Sequence, residues 1–124
     1  MIYTLERSNV LRKLFVDNYK ALVNFELKLD GHALLMGANG SGKSSVLEVL
    51  GLLRRIVVGG ESVADCLPRS TFTRWSNQDH QRFELDLDFE GEAFHYQLIR
   101  QATSTNERLL SGSDELFSGY GSDG

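Results

Sequence analysis

With 124 residues, 41% of them hydrophobic and 24% charged, the chain has the make-up of one soluble globular domain. Its net charge of −4 argues against a free-standing nucleic-acid binder, which needs a basic surface, while leaving room for a basic patch on one face. The single cysteine, Cys66, excludes an internal disulfide and reads as a small buried hydrophobe.

No apolar run approaches the ~20 residues of a membrane-spanning helix. The opening stretch MIYTLERSNV lacks the apolar block of a signal peptide. A cytoplasmic protein is expected.

In chain order, LRKLFVD (11–17) reads as a first strand near a sheet edge, and NYKA (18–21) as a turn. LVNFELKL (22–29) alternates, with Val23, Phe25, Leu27 and Leu29 on one face, and Asp30-Gly31 is a tight-turn dipeptide. HALLM (32–36) is a continuous apolar run, the pattern of a central strand covered on both faces.

From Ser44 to Val58 the spacing predicts a helix. Val46, Val49, Leu50, Leu53 and Val57 mark its inner face, broadened by Leu47, Leu52 and Ile56. Arg54 and Arg55 suit its last turns, and Gly59-Gly60 ends it. ESVADCL predicts a short helix capped by Ser62 and stopped by Pro68. The stretch 68–81 reads as a polar loop.

RFELDLDF (82–89) alternates with Phe83, Leu85, Leu87 and Phe89 inward. A turn at Glu90–Glu92 leads into AFHYQLIR (93–100), where Phe94, Tyr96 and Leu98 repeat the pattern. ERLL and ELFSGY predict a last hairpin around Gly112. Residues from about 111 to 124 also read as a Gly/Ser-rich flexible tail.

GANGSGKSS (37–45) fits Gly-x-x-x-x-Gly-Lys-Ser with Gly37, Gly42, Lys43 and Ser44. Glycines at 37, 40 and 42 let the backbone wrap an anion, with successive N–H groups forming a nest at the positive end of the next helix. Lys43 is placed to neutralise β- and γ-phosphates, and the Ser44 hydroxyl to coordinate Mg²⁺.

KLFVDNYKALVNFELKL followed by ALLMGANGSGKSSVLEVLGLL resembles the N-terminus of the ABC-type ATPases that include SMC, RecF and OLD-like proteins. The similarity is greatest to bacterial AAA-family ATPases of that branch. Asn18, Tyr19 and Lys20 match the family's turn after its first strand. Asn39, Gly40, Gly42, Lys43, Ser44 and Ser45 match its phosphate loop, while Ala38 replaces the usual proline.

The resemblance implies an α/β fold, the N-terminal lobe of a P-loop NTPase head. A central strand, phosphate loop and helix are accompanied in it by antiparallel hairpins, in one partial domain over 1–124. It implies Mg-ATP held by Asn39, Gly40, Ser41, Gly42, Lys43, Ser44 and Ser45, with Lys43 catalytic, Ser44 on the metal and Lys20 near the nucleotide. It also implies a second ATPase head as partner, from the same chain or a homologue, and contact with nucleic acid only through a parent assembly. Gln78 and Gln81 fall roughly where this family can place a metal-contacting glutamine.

Hydrolysis in such heads needs an apolar strand ending in Asp-Glu and a Leu-Ser-Gly-Gly-like signature, expected beyond residue 124. In LDLDFEGE the acids Glu84, Asp86, Asp88 and Glu90 alternate with apolar residues and read as a solvent face. LLSGSDE (109–115) reads as a hairpin turn. His32, His80 and His95 have no ligand spacing, and Trp75 reads as an aromatic packed at a loop end. A non-catalytic regulator that binds nucleotide is the second reading. A small phosphotransferase is the third, disfavoured because such enzymes continue from the loop in parallel βαβ units.

Overall fold

The computed structural model describes residues 10–28, 41–74 and 78–122. Among these residues six strands form one sheet in the order β2-β1-β3-β4-β5-β6, and every pairing between them is antiparallel. The strands are β1 (Val10–Asp17), β2 (Phe25–Lys28), β3 (His80–Phe89), β4 (Glu92–Gln101), β5 (Ser104–Ser111) and β6 (Asp114–Ser122). Between β2 and β3 come helix α1 (Ser41–Val57), the single-turn α2 (Val63–Cys66) and a 3-10 turn at Arg69–Thr71.

This architecture overturns the expected α/β head. Short turns join β3 to β4, β4 to β5 and β5 to β6, which leaves only antiparallel pairing there, and β1 pairs antiparallel with both of its neighbours. β3 and β4 are joined at Glu90 (φ 51°) and Gly91 (φ 82°), whose positive φ values match the twist of a tight hairpin. β5 and β6 are joined around Gly112 (φ 62°), so the Gly/Ser-rich stretch 114–122 runs as a paired strand. β1, read as lying near an edge, sits between β2 and β3 and pairs with both. The fold is therefore α+β, with the helix laid on an antiparallel sheet; the expected central strand, 32–36, falls outside the described residues.

Alternation decides which face the helix covers. Register places Leu14 and Val16 beside Leu85 and Phe83, and these beside Tyr96 and Leu98. From α1, Val46, Val49, Leu53 and Ile56 meet this face at helical spacing and are buried with it. Burying a side chain such as Leu98 or Phe83 contributes about 1.5–3 kcal/mol. Cys66 and Leu67 close the same core.

Four expected inward residues are exposed, Leu47 on α1 among them. Val57 lies off the buried stripe, Phe89 overhangs at the strand's end, and Val23 precedes β2. Strand β2 starts only at Phe25 because Asn24 turns the chain (φ 49°), its N–H donating to Asp17 Oδ1 at 2.8 Å.

The opposite face carries the alternating acids as expected. Lys13 Nζ lies 3.5 Å from Asp86 and 3.9 Å from Glu26, and Arg82 pairs with Glu84 at 2.5 Å. His95 sits between Glu84 and Asp86.

Candidate functional site

Helix α1 opens at Ser41, three residues before the predicted start, so the second half of GANGSGKSS is helical. Ser41, Gly42, Lys43 and Ser44 form its first turn, and Ser45 follows, half-buried. Asn39 and Gly40 lie outside the described residues. A helix's first N–H groups have no partner within the helix and carry its positive end. No acidic residue occupies that first turn.

The next carboxylate along α1 is Glu48, four residues after Ser44. Its Oε1 accepts hydrogen bonds from Lys20 Nζ at 2.9 Å and from the Tyr19 hydroxyl at 2.7 Å. These bonds hold the Glu48 carboxyl below the ordinary carboxylate range, Lys20 making the larger contribution. Burial, reinforced by Glu48, pushes the Tyr19 phenol well above its usual value. Lys20, predicted to lie near the nucleotide, is thus fixed on the early turns of α1, with its ammonium 5.6 Å from the Tyr19 ring centroid.

The turn that delivers Tyr19 and Lys20 is built on a left-handed backbone. Asn18 has φ 68° and Lys20 φ 49°, conformations that asparagine tolerates better than most residues. A polar network centred on the fully buried Asn18 fixes it. Asn18 Nδ2 donates to the carbonyls of His80 (2.8 Å) and Gln78 (3.2 Å), while its Oδ1 accepts from the Thr73 N–H at 3.1 Å. The Lys20 N–H donates to the Thr71 carbonyl at 2.7 Å, and Thr73 Oγ1 donates to the Lys20 carbonyl at 2.7 Å.

Gln81, expected in the loop, is instead the second residue of β3 and wholly buried. Its Nε2 donates to Thr71 Oγ1 (3.0 Å) and the Asn18 carbonyl (3.2 Å), and its Oε1 has no hydrogen-bond partner. The sequence reading missed this network of Asn18, Thr71, Thr73 and Gln81. The available signal was the pairing of an Asn at a strand end with two Thr flanking Phe72.

Beside this turn lies a cleft of about 370 Å³ lined by Tyr19, Lys20, Glu48, Arg55, Cys66 and Thr71. Arg55 is engaged by Glu61 at 2.7 Å, and burial pushes the Cys66 thiol up. A larger apolar cleft of about 760 Å³ separates the far half of α1 from the sheet, between Leu50, Leu53, Leu85, Phe94, Leu109 and Phe117. Its charged lining residues are Arg54 and Glu107, and Glu107 accepts from the Tyr96 hydroxyl at 2.6 Å.

Among the described residues no group of three or more His, Cys, Asp or Glu could hold a metal. Among them, too, no helix is long and apolar enough to cross a membrane. Trp75 and His32 lie outside the described residues. Compared with models of known protein families and with curated proteins, the chain matches none.

Proposed function

We propose that residues 37–45 bind the phosphates of Mg-ATP. The observation that supports this reading is the start of α1 at Ser41, inside the glycine-rich motif. Backbone N–H groups at a helix start favour an anion, and the absence of acids from the first turn leaves that field unopposed. The next acid along α1, Glu48, is already balanced by Lys20.

In this reading Asn39, Gly40, Ser41, Gly42, Lys43, Ser44 and Ser45 cradle the triphosphate, Lys43 neutralises its outer phosphates, and Ser44 holds Mg²⁺. The magnesium would supply charge neutralisation between the phosphates. A second nucleotide-binding head is the proposed partner. Replacing Lys43 by Ala should abolish measurable Mg-ATP binding in a calorimetric titration, and unchanged affinity would refute the reading.

A non-catalytic regulator is the second form of the proposal, favoured by one observation. The described acids nearest in pattern to a catalytic pair, Glu84 and Asp86, lie mid-strand against Arg82, Lys13 and His95. The isolated chain is therefore expected to bind ATP without turning it over. Sustained phosphate release by purified chain would contradict that form.

A further inference from the structure

Four of the described arginines are paired with acids. Arg12 pairs with Asp88, Arg55 with Glu61, Arg82 with Glu84 and Arg108 with Glu115. Arg54, Arg69 and Arg74 form no ion pair with a described carboxylate, and the last two, both exposed, line one cleft of about 490 Å³. The other described lining residues are Ser70, Phe72, Thr73 and Gln78, so the described part of the cleft wall contains no acid. The neighbouring Asp79 lies 3.6 Å from His80 Nδ1.

The arginines also stand on a braced support. The Arg69 guanidinium lies 5.1 Å from the centroid of Phe72, a largely buried ring, which restricts where the charge can point. Phe72 pairs with Tyr19 in an isolated bridge. Thr73, next to Arg74, is held through its N–H by Asn18 and through its hydroxyl by the Lys20 carbonyl. Thr71 is held by Lys20 and Gln81. A segment whose backbone is fixed by hydrogen bonds has little backbone entropy left to lose on binding.

We infer that the cleft between Arg69 and Arg74 is an anion site that takes a phosphate group. Two guanidinium forks suit phosphate oxygens, since each can give parallel N–H donors, and the Ser70 hydroxyl adds a further donor. The site is made of residues other than 37–45, and the inference does not depend on ATP binding there. The same phosphate chemistry could be presented by a small free anion or by a nucleic-acid backbone. An overall charge of −4 confines any such binding to a local patch of this kind.

The test is made in the Lys43→Ala background, where phosphate binding at residues 37–45 should be absent. Inorganic pyrophosphate is titrated by calorimetry and a labelled single-stranded oligonucleotide by fluorescence anisotropy, with and without R69Q and R74Q. The expected result is a loss of affinity of about tenfold or more on removing both arginines, since charge-assisted hydrogen bonds are lost. Loss for both probes indicates any accessible phosphate, and loss for the oligonucleotide alone indicates a nucleic-acid backbone.

The single R74Q variant removes no ion pair among the described residues, so it should fold normally and still weaken binding severalfold. No binding of either probe, or affinity unchanged by R69Q and R74Q, overturns the inference. If Lys43→Ala instead leaves Mg-ATP binding intact, the ATP reading fails, while the arginine comparison still decides this one.

Discussion

Tyr19 and Glu48, 29 positions apart in sequence, are joined by a hydrogen bond of 2.7 Å from the phenol to the carboxylate. That bond, with the Lys20 ammonium on the same oxygen, fastens the turn after β1 to the helix that grows out of the glycine-rich motif. The ring of Tyr19 is buried against Phe83, edge to face at 6.1 Å between centroids.

Tyr19→Phe should keep the ring packing and lose only the hydrogen bond. The expected cost is about 1 kcal/mol, measured as a shift in the denaturant midpoint at unchanged slope. A neutral result would mean that the Tyr19–Glu48 bond contributes nothing to stability.

The Glu48 carboxyl is held below its ordinary range by Lys20 and Tyr19, which fixes the sign of its pH dependence. Its contribution is complete above the unfolded value of about 4.3, and is lost as pH falls through the lower folded value. The side chain is 46% exposed, so solvent screening keeps the effect below about 1 kcal/mol. Glu48→Gln should flatten stability between neutral pH and the acid range, and an acid limb parallel to wild type would count against this link.

Tyr19 and Tyr96 both have phenols pushed upward, chiefly by burial and then by hydrogen bonds to Glu48 and Glu107. Each therefore favours the fold below the ordinary tyrosine value of about 10, and that contribution is lost as pH rises above it. Phenolate absorbance from these two residues should appear only together with loss of the far-ultraviolet signal. Their ionisation in a still-folded chain would contradict the burial argument.

Asn18→Ala removes two donors and one acceptor from a fully buried group and places a Cβ-only residue at φ 68°. Destabilisation of about 2–4 kcal/mol is expected, because the Gln78 and His80 carbonyls and the Thr73 N–H lose partners. Asn18→Gly, which relieves the backbone but not the hydrogen bonds, should recover only a minor part. Equal stability of the two variants would put the cost in the side chain alone.

What could be read from the sequence was local. Alternation in 82–89 and 93–100, the Glu90-Gly91 and Gly112 turns, and the Ser62 cap all act over a few residues, and each stands in the structure. Which strands become neighbours is not local. β1 pairs with β3 across more than sixty residues (Val16 with Phe83), and nothing in VLRKLFVD names that partner.

The resemblance to ATPase heads carried the expectation of an α/β core, with a central strand before the helix, and the described strands form an antiparallel ladder instead. The buried network around Asn18 and Gln81 was hidden for a related reason. Polar residues read as loop or solvent residues until tertiary contacts enclose them, and the hydrogen bonds that offset the cost of burying them involve residues more than fifty positions away.

The central claim, that residues 37–45 hold Mg-ATP, is tested most directly by titrating Mg-ATP into wild-type chain and Lys43→Ala in a calorimeter. The account predicts saturable one-site binding for the wild type and none detectable for the variant, with both chains melting at the same temperature. Equal binding by the two, or none by a folded wild type, would contradict it.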